Sequence, residues 1–146
     1  MSDTTLAHLR VPPHSLEAEQ SVLGGLLLDN AAFDKIADVM AEGDFYRDEH
    51  KRIYRQIRKL LERGKPADAV TVAEGLDLAG EGNATGGLAY LGELAANTPS
   101  AANIRRYAEI VRERAILRLL VTAGDEIAGS ALNPLGRDAK TLLDEA

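Results

Sequence analysis

Apolar residues recur along this chain at three- and four-residue spacing, and no segment sustains the strict alternation of a half-buried strand. The expected fold is therefore all-α, with about six helices in a globule followed by a C-terminal helical hairpin. Pro12-Pro13 blocks helix before Ser15, which is a good N-cap; Glu17 and Glu19 place negative charge at the positive end of the dipole. Val22, Leu23, Leu26 and Leu27 then run at helical spacing through Asp29. Within that run sits a glycine pair, Gly24-Gly25, each member costing a helix interior about 1 kcal/mol relative to alanine. Close approach of a neighbouring backbone is the expected gain, because no Cβ stands in the way.

Asn30 is positioned to cap a short second helix with Phe33, Ile36, Ala37 and Met40 as its apolar stripe, broken at Gly43-Asp44. The third helix has the sharpest pattern: Tyr46, Ile53, Tyr54, Ile57, Leu60 and Leu61 share one face, while Arg52, Arg55, Arg58 and Lys59 fall largely outside it. Gly64 and Pro66 end it. Thr71 to Glu74 reads TVAE, a capping box, opening a fourth helix through Leu76 and Leu78. GEGNATGG, Gly80 to Gly87, is expected to be a loop, followed by a helix over Leu88 to Ala96.

Ser100 caps a long helix expected to start near Ala101. Up to about Arg114 it is ordinarily amphipathic, through Ile104, Tyr107, Ala108, Val111 and Ala115. From Ile116 to Val121 the sequence ILRLLV is apolar at five positions in six, which demands cover on more than one side. The helix is expected to stop around Gly129, NPLG (Asn133 to Gly136) is a turn, and Arg137 to Ala146 begins a further helix with Leu142 and Leu143. The expected organisation is an N-terminal arm at 1–14, a helical domain at 15–111, and a hairpin at 112–146 whose second arm is truncated.

Chemistry narrows the function classes. No cysteine is present, so disulfides, thiolate zinc sites and cysteine nucleophiles are excluded. The first ten residues lack the apolar stretch of a secretory signal, and no run approaches the ~20 apolar residues that cross a bilayer. A soluble cytoplasmic protein is expected. His8, His14 and His50 form no H-x-x-x-H or H-E-x-x-H pair and are expected at surface or cap positions, not as metal ligands. Ser21 has no histidine at a telling distance, and the Gly80–Gly87 stretch lacks the lysine and Ser/Thr of a phosphate loop. No catalytic, cofactor or metal site is expected; the chain binds or assembles.

Net charge is −6, yet 8 of the 17 basic residues lie between Arg47 and Lys65 and 5 between Arg105 and Arg118. Charge alone leaves two readings of the Arg52, Arg55, Arg58 and Lys59 face: a solvated helix surface, or a nucleic-acid contact, although phosphate-binding proteins usually show a larger excess.

Three stretches carry a resemblance. SLEAEQSVLGGLLLDN leads, through Phe45-Tyr46, into HKRIYRQI; PADAVTVAEGL comes second; the third is GGLAYLGELAANTPSAANIRRYAEIVRERAILRLL, ending at Leu120. Together and in this order they resemble the N-terminal domain of bacterial replicative DNA helicases, the DnaB family. The resemblance implies an assembly and primase-docking domain of a hexameric helicase that unwinds duplex DNA at the replication fork. Hairpins would pair between subunits into a trimer of dimers, with the primase C-terminal domain and possibly a helicase loader as partners. Single-stranded DNA would pass through the full ring, with weak or no affinity for this part alone. ATP and magnesium would belong to a C-terminal RecA-like motor outside this chain. On that reading Ile116, Leu119, Leu120, Ala123 and Ile127 are candidate hairpin or dimer contacts. The alternatives are a free-standing dimeric adaptor and, third, a helical nucleic-acid-binding module.

Overall fold

Six consecutive residues of the first helix, Val22 to Leu27, are buried, so this helix is enclosed on all sides and not packed on one stripe. In the computed structural model, which describes residues 11–146, it is α1 (Leu16–Leu28), with the Ser15 hydroxyl accepting from Ala18 N at its start. The others are α2 (Phe33–Ile36), α3 (Asp48–Glu62), α4 (Ala69–Leu78), α5 (Gly82–Thr85), α6 (Gly87–Asn97), α7 (Ile104–Leu132) and α8 (Ala139–Glu145). Short 3-10 turns occupy Asn30–Ala32 and Glu42–Asp44, and no strand occurs among the described residues. The all-α expectation holds. The arm expected at 1–14 falls mostly outside the described residues, as does His8.

Two compact units divide the chain: His14–Ala115, and residues 116–146 together with the described residues ahead of His14. The first is built around α1, which packs against α6 and α3, while α4 packs on α6 and α3. Its core runs from Ala18 and Leu23 through Phe45, Ile53, Ile57, Leu76 and Leu91 to Ala108 and Val111. The first half of α7 is tied down by charge as well. Arg105 donates to the Lys35 carbonyl at 2.9 Å, and Arg112, two turns on, donates to Asp44 at 2.8 Å. In the second unit α8 returns beside α7: Leu142 and Ala146 share a cleft of about 300 Å³ with Ala123 and Ile127. Arg118 donates to the Pro13 carbonyl at 2.8 Å.

Local signals misplace several caps. Asp29, not Asn30, caps the turn after α1, accepting from Ala31 N at 3.0 Å. The Asn30 amide instead bridges chain segments: it donates to the Leu26 and Ala67 carbonyls (2.9 and 2.7 Å) and accepts from Ala67 N. The box opening α4 lies one turn earlier than TVAE. Asp68, extended, accepts from Thr71 N at 2.8 Å, and Asp68 N donates to the Thr71 hydroxyl at 2.9 Å. Ala37 and Leu78, expected on apolar stripes, are exposed. The glycine-rich stretch contains α5, bounded by Gly86 at φ 86°. Ser100 caps only a turn, through Ala102 N at 3.3 Å, and α7 begins at Ile104. It passes Gly129 and stops where Pro134 disfavours helix in the residue before it, with Leu135 and Gly136 both at positive φ.

The glycine pair answers to two neighbours. A Cβ on Gly24 would collide with the Thr98 hydroxyl and the Leu94 carbonyl at the end of α6. One on Gly25 would stand 3.1 Å from the Ile104 Cδ1 methyl. Gly24→Ala is expected to lose about 1–3 kcal/mol of stability through overpacking. Gly25→Ala should fall within about 1 kcal/mol of the parent, because a methyl can yield and the helix gains propensity. Urea unfolding of the two variants checks this, and equal losses would contradict it.

Candidate functional site: an exposed apolar helix and a buried polar file

Beyond Ala115 the side chains of α7 lose their cover. Ile116, Leu117, Leu119, Leu120, Val121 and Ile127 are all exposed, with Leu119 at 64% and Leu120 at 63%. Ala123 is exposed too, and with Ile127 it lines the cleft against α8. The residues singled out from the pattern therefore stand together on one helix of the second unit, at its surface and not in a core. Large apolar side chains gathered on one exposed surface mark interaction sites.

The basic candidates lie on α3, each guanidinium held by carboxylates. Arg52 meets Asp48 at 2.8 Å and Glu81 at 3.2 Å. Arg55 meets Glu42 at 2.6 Å, and Arg58 meets Glu42 at 3.5 Å and Glu62 at 3.6 Å. With exposed Lys59 these make four positive charges against four negative ones, Asp48, Glu42, Glu62 and Glu81. A polyanion would have to displace the carboxylate partners of Arg52, Arg55 and Arg58 here.

A feature that local patterning missed sits behind this helix. His50 is fully buried, not at a surface or cap position, and Glu19 is 1% exposed. Glu19 Oε1 lies 2.8 Å from His50 Nδ1, and His50 Nε2 lies 2.6 Å from the Tyr90 hydroxyl. Glu19 also accepts the Tyr46 N–H at 2.8 Å and the Arg47 N–H at 3.4 Å. A carboxylate from α1 thus caps the entry to α3, whose own N-cap residue, Arg47, supplies no capping bond from its side chain. Burial pushes the Tyr90 phenol above its ordinary value of 10.0, so it keeps its proton. One signal was available: Glu19 precedes Val22 and Leu23, and His50 precedes Ile53 and Tyr54, by three and four residues, which puts both on buried faces. His14 is half-buried, its ring 4.3 Å from that of Tyr46.

No group of three metal-ligating side chains exists among the described residues, and α5 with its flanking glycines offers no lysine to a phosphate. The described residues do not fit the nucleotide and magnesium that the resemblance assigns to a motor domain outside this chain. Nor is any described helix long and apolar enough to cross a membrane.

Taken together, these features define an all-helical domain with a C-terminal pair of helices. Residues 11–113 match the sequence model of the DnaB-like helicase N terminal domain, and the chain belongs to that family. It is 46% identical over 145 residues to the replicative DNA helicase DnaB of Haemophilus influenzae, covering 99% of this chain but 31% of that protein. The crystal structure of the N-terminal domain of DnaB helicase from Mycobacterium tuberculosis matches with a TM-score of 0.87 and 44% identity, covering 92% of this chain and 94% of that one. The N-terminal domain from Helicobacter pylori, described with its interactions with primase, shares the fold at 23% identity and TM-score 0.67, over 91% of this chain and 100% of that one.

Two measurements probe the polar groups. Glu19→Ala leaves the His50 ring and two backbone N–H groups without their acceptor, and is expected to cost about 3 kcal/mol in urea unfolding. The Arg55 hydrogen bond and charge hold the Glu42 carboxyl below its ordinary value of 4.5, against the opposing effect of burial. A depressed carboxyl contributes stability above its unfolded value, lost as pH falls through the folded one. The Tm difference between parent and Glu42→Gln should therefore be present at about pH 7, smaller in high salt, and shrink progressively as pH falls below the ordinary carboxyl range.

Proposed function

We propose that this chain is the assembly and docking domain at the N-terminal end of a hexameric replicative helicase. The observation that carries this reading is the strip from Ile116 to Ile127, apolar yet exposed, directly after a globule that matches the DnaB N-terminal domain. Pairing of hairpins between copies would cover Ile116, Leu119, Leu120, Ala123 and Ile127, and three such pairs would make the collar of a ring. Division of the protein into a helical domain ending near 111–115 and a hairpin beyond it serves this role, the globule folding without help while the hairpin awaits a partner.

Docking of the primase C-terminal domain is the second part of the proposal, supported by the described primase interactions of the Helicobacter pylori domain. Duplex unwinding, ATP and magnesium belong on this reading to a motor domain elsewhere in the parent protein, in the cytoplasm. Single-stranded DNA passes through the assembled ring, and any loader acts on that assembly. The carboxylate partners of Arg52, Arg55 and Arg58 argue against these residues as a DNA contact of their own.

Sedimentation of the chain alone and with the primase C-terminal domain tests both parts. Self-association and a primase complex at tens of micromolar are expected; a strict monomer with no complex would remove the proposal. Leu119→Asp and Leu120→Asp should each abolish self-association and leave the far-UV circular dichroism and the Tm of the globule within a few degrees of the parent, since neither side chain is buried. Global unfolding by either one would refute the division of labour.

A further inference from the structure

Glu19, His50 and Tyr90 come from α1, α3 and α6 and stand in single file from the core towards the surface. Both other groups on the Glu19 carboxylate are backbone donors, from Tyr46 and Arg47, so the carboxylate acts here as an acceptor and His50 Nδ1 carries a hydrogen. In a neutral ring Nε2 then holds the lone pair. At 2.6 Å that lone pair is met by the Tyr90 O–H, which points inward. The phenolic oxygen meanwhile accepts from Gln20 Nε2 at 3.3 Å.

A second proton on His50 leaves the Glu19 bond as it is and reverses only the last one. Nε2–H now donates to the Tyr90 oxygen, and the phenolic hydrogen must turn away from the ring. No partner is lost, because the oxygen has two lone pairs and can accept from both His50 and Gln20. Outward from Tyr90 lies a cleft of about 310 Å³ between α1 and α6, lined by Glu17, Gln20, Ser21, Glu93 and Asn97 among others. Tyr90 itself lines this cleft, so a hydrogen that turns away from the ring is offered there.

We propose that this file is a proton-responsive switch: the charge state of buried His50 decides whether Tyr90 presents a lone pair or an O–H donor to the α1–α6 cleft. The groups around the ring are few. Glu19 and Gln20 face it from α1 and Tyr90 from α6; the Phe45 ring stands edge-on with centroids 6.1 Å apart. Arg47 and Glu49, at the entry to α3, are paired with each other at 2.8 Å. Glu17 and Glu93 lie across the cleft. The device sits wholly in the first compact unit and does not depend on whether the α7 face self-associates.

Nitrogen-15 spectra of the His50 ring, recorded on the labelled full chain together with the Tyr90 Cζ carbon shift, test it as pH is lowered from about pH 8 to the acid limit of the folded state. At the upper end Nδ1 should be protonated and Nε2 bare. On acidification Nε2 should gain its proton, and Tyr90 Cζ should move with the same midpoint while circular dichroism stays constant. Tyr90→Phe, which removes the hydroxyl but keeps the ring, should shift the His50 midpoint. An Nε2–H tautomer at the upper end would overturn the proposal. So would a His50 ring that stays neutral throughout, a Tyr90 carbon indifferent to His50, or an unmoved midpoint in a folded Tyr90→Phe variant.

Discussion

The missing Cβ at Gly24 is the constraint on which the first unit depends. Without it the Leu94 carbonyl and the Thr98 hydroxyl can lie directly on α1, and beside it Gly25 accepts the Ile104 side chain at the start of α7. Two successive parts of the chain thereby close over one helix, and Val22 to Leu27 are buried as one continuous run. The helix-propensity cost of about 1 kcal/mol per glycine is small beside the apolar area this encloses, each buried leucine or valine being worth about 1.5–3 kcal/mol.

Enclosing α1 has a second consequence. Glu19, one turn before the enclosed run, is shut in with it, and a buried carboxylate must find donors or destabilise the fold. It finds them in the Tyr46 and Arg47 N–H groups and in His50, so one side chain both satisfies its own buried oxygens and caps the next long helix. Among the described residues no buried side-chain nitrogen or oxygen is left without a partner. Core packing and polar satisfaction are here a single arrangement.

Within α7 the same helix serves two ends. Its first three turns are anchored by Ile104, Ala108, Val111 and Ala115 and by the Arg105 and Arg112 bonds; the turns from Ile116 to Val121 are largely apolar and exposed. The helix thus changes from one buried stripe to an exposed apolar surface with no break in its backbone. The family match, ending at residue 113, stops where that change of surface begins.

Helical class, the approximate extent of α1, α3, α6 and α7, and the change of character at Ile116 were all readable from residue order, because each is a local property. Periodicity reports the side that is buried, and a doubled apolar face reports that something must cover it. Caps were less legible: Asn30, Thr71 and Ser100 all have the right chemistry, but which of several neighbouring polar residues is extended depends on where the flanking helices are held. Charge alone left the basic run on α3 open between a solvated face and a nucleic-acid contact; the pairing of Arg52 with Glu81 and of Arg55 with Glu42 was not legible, since both carboxylates lie outside the helix. His50 stands 31 residues from Glu19 and 40 from Tyr90. Their order along the chain says nothing of the file they make; only the packing of α1, α3 and α6 against one another brings them within hydrogen-bond reach.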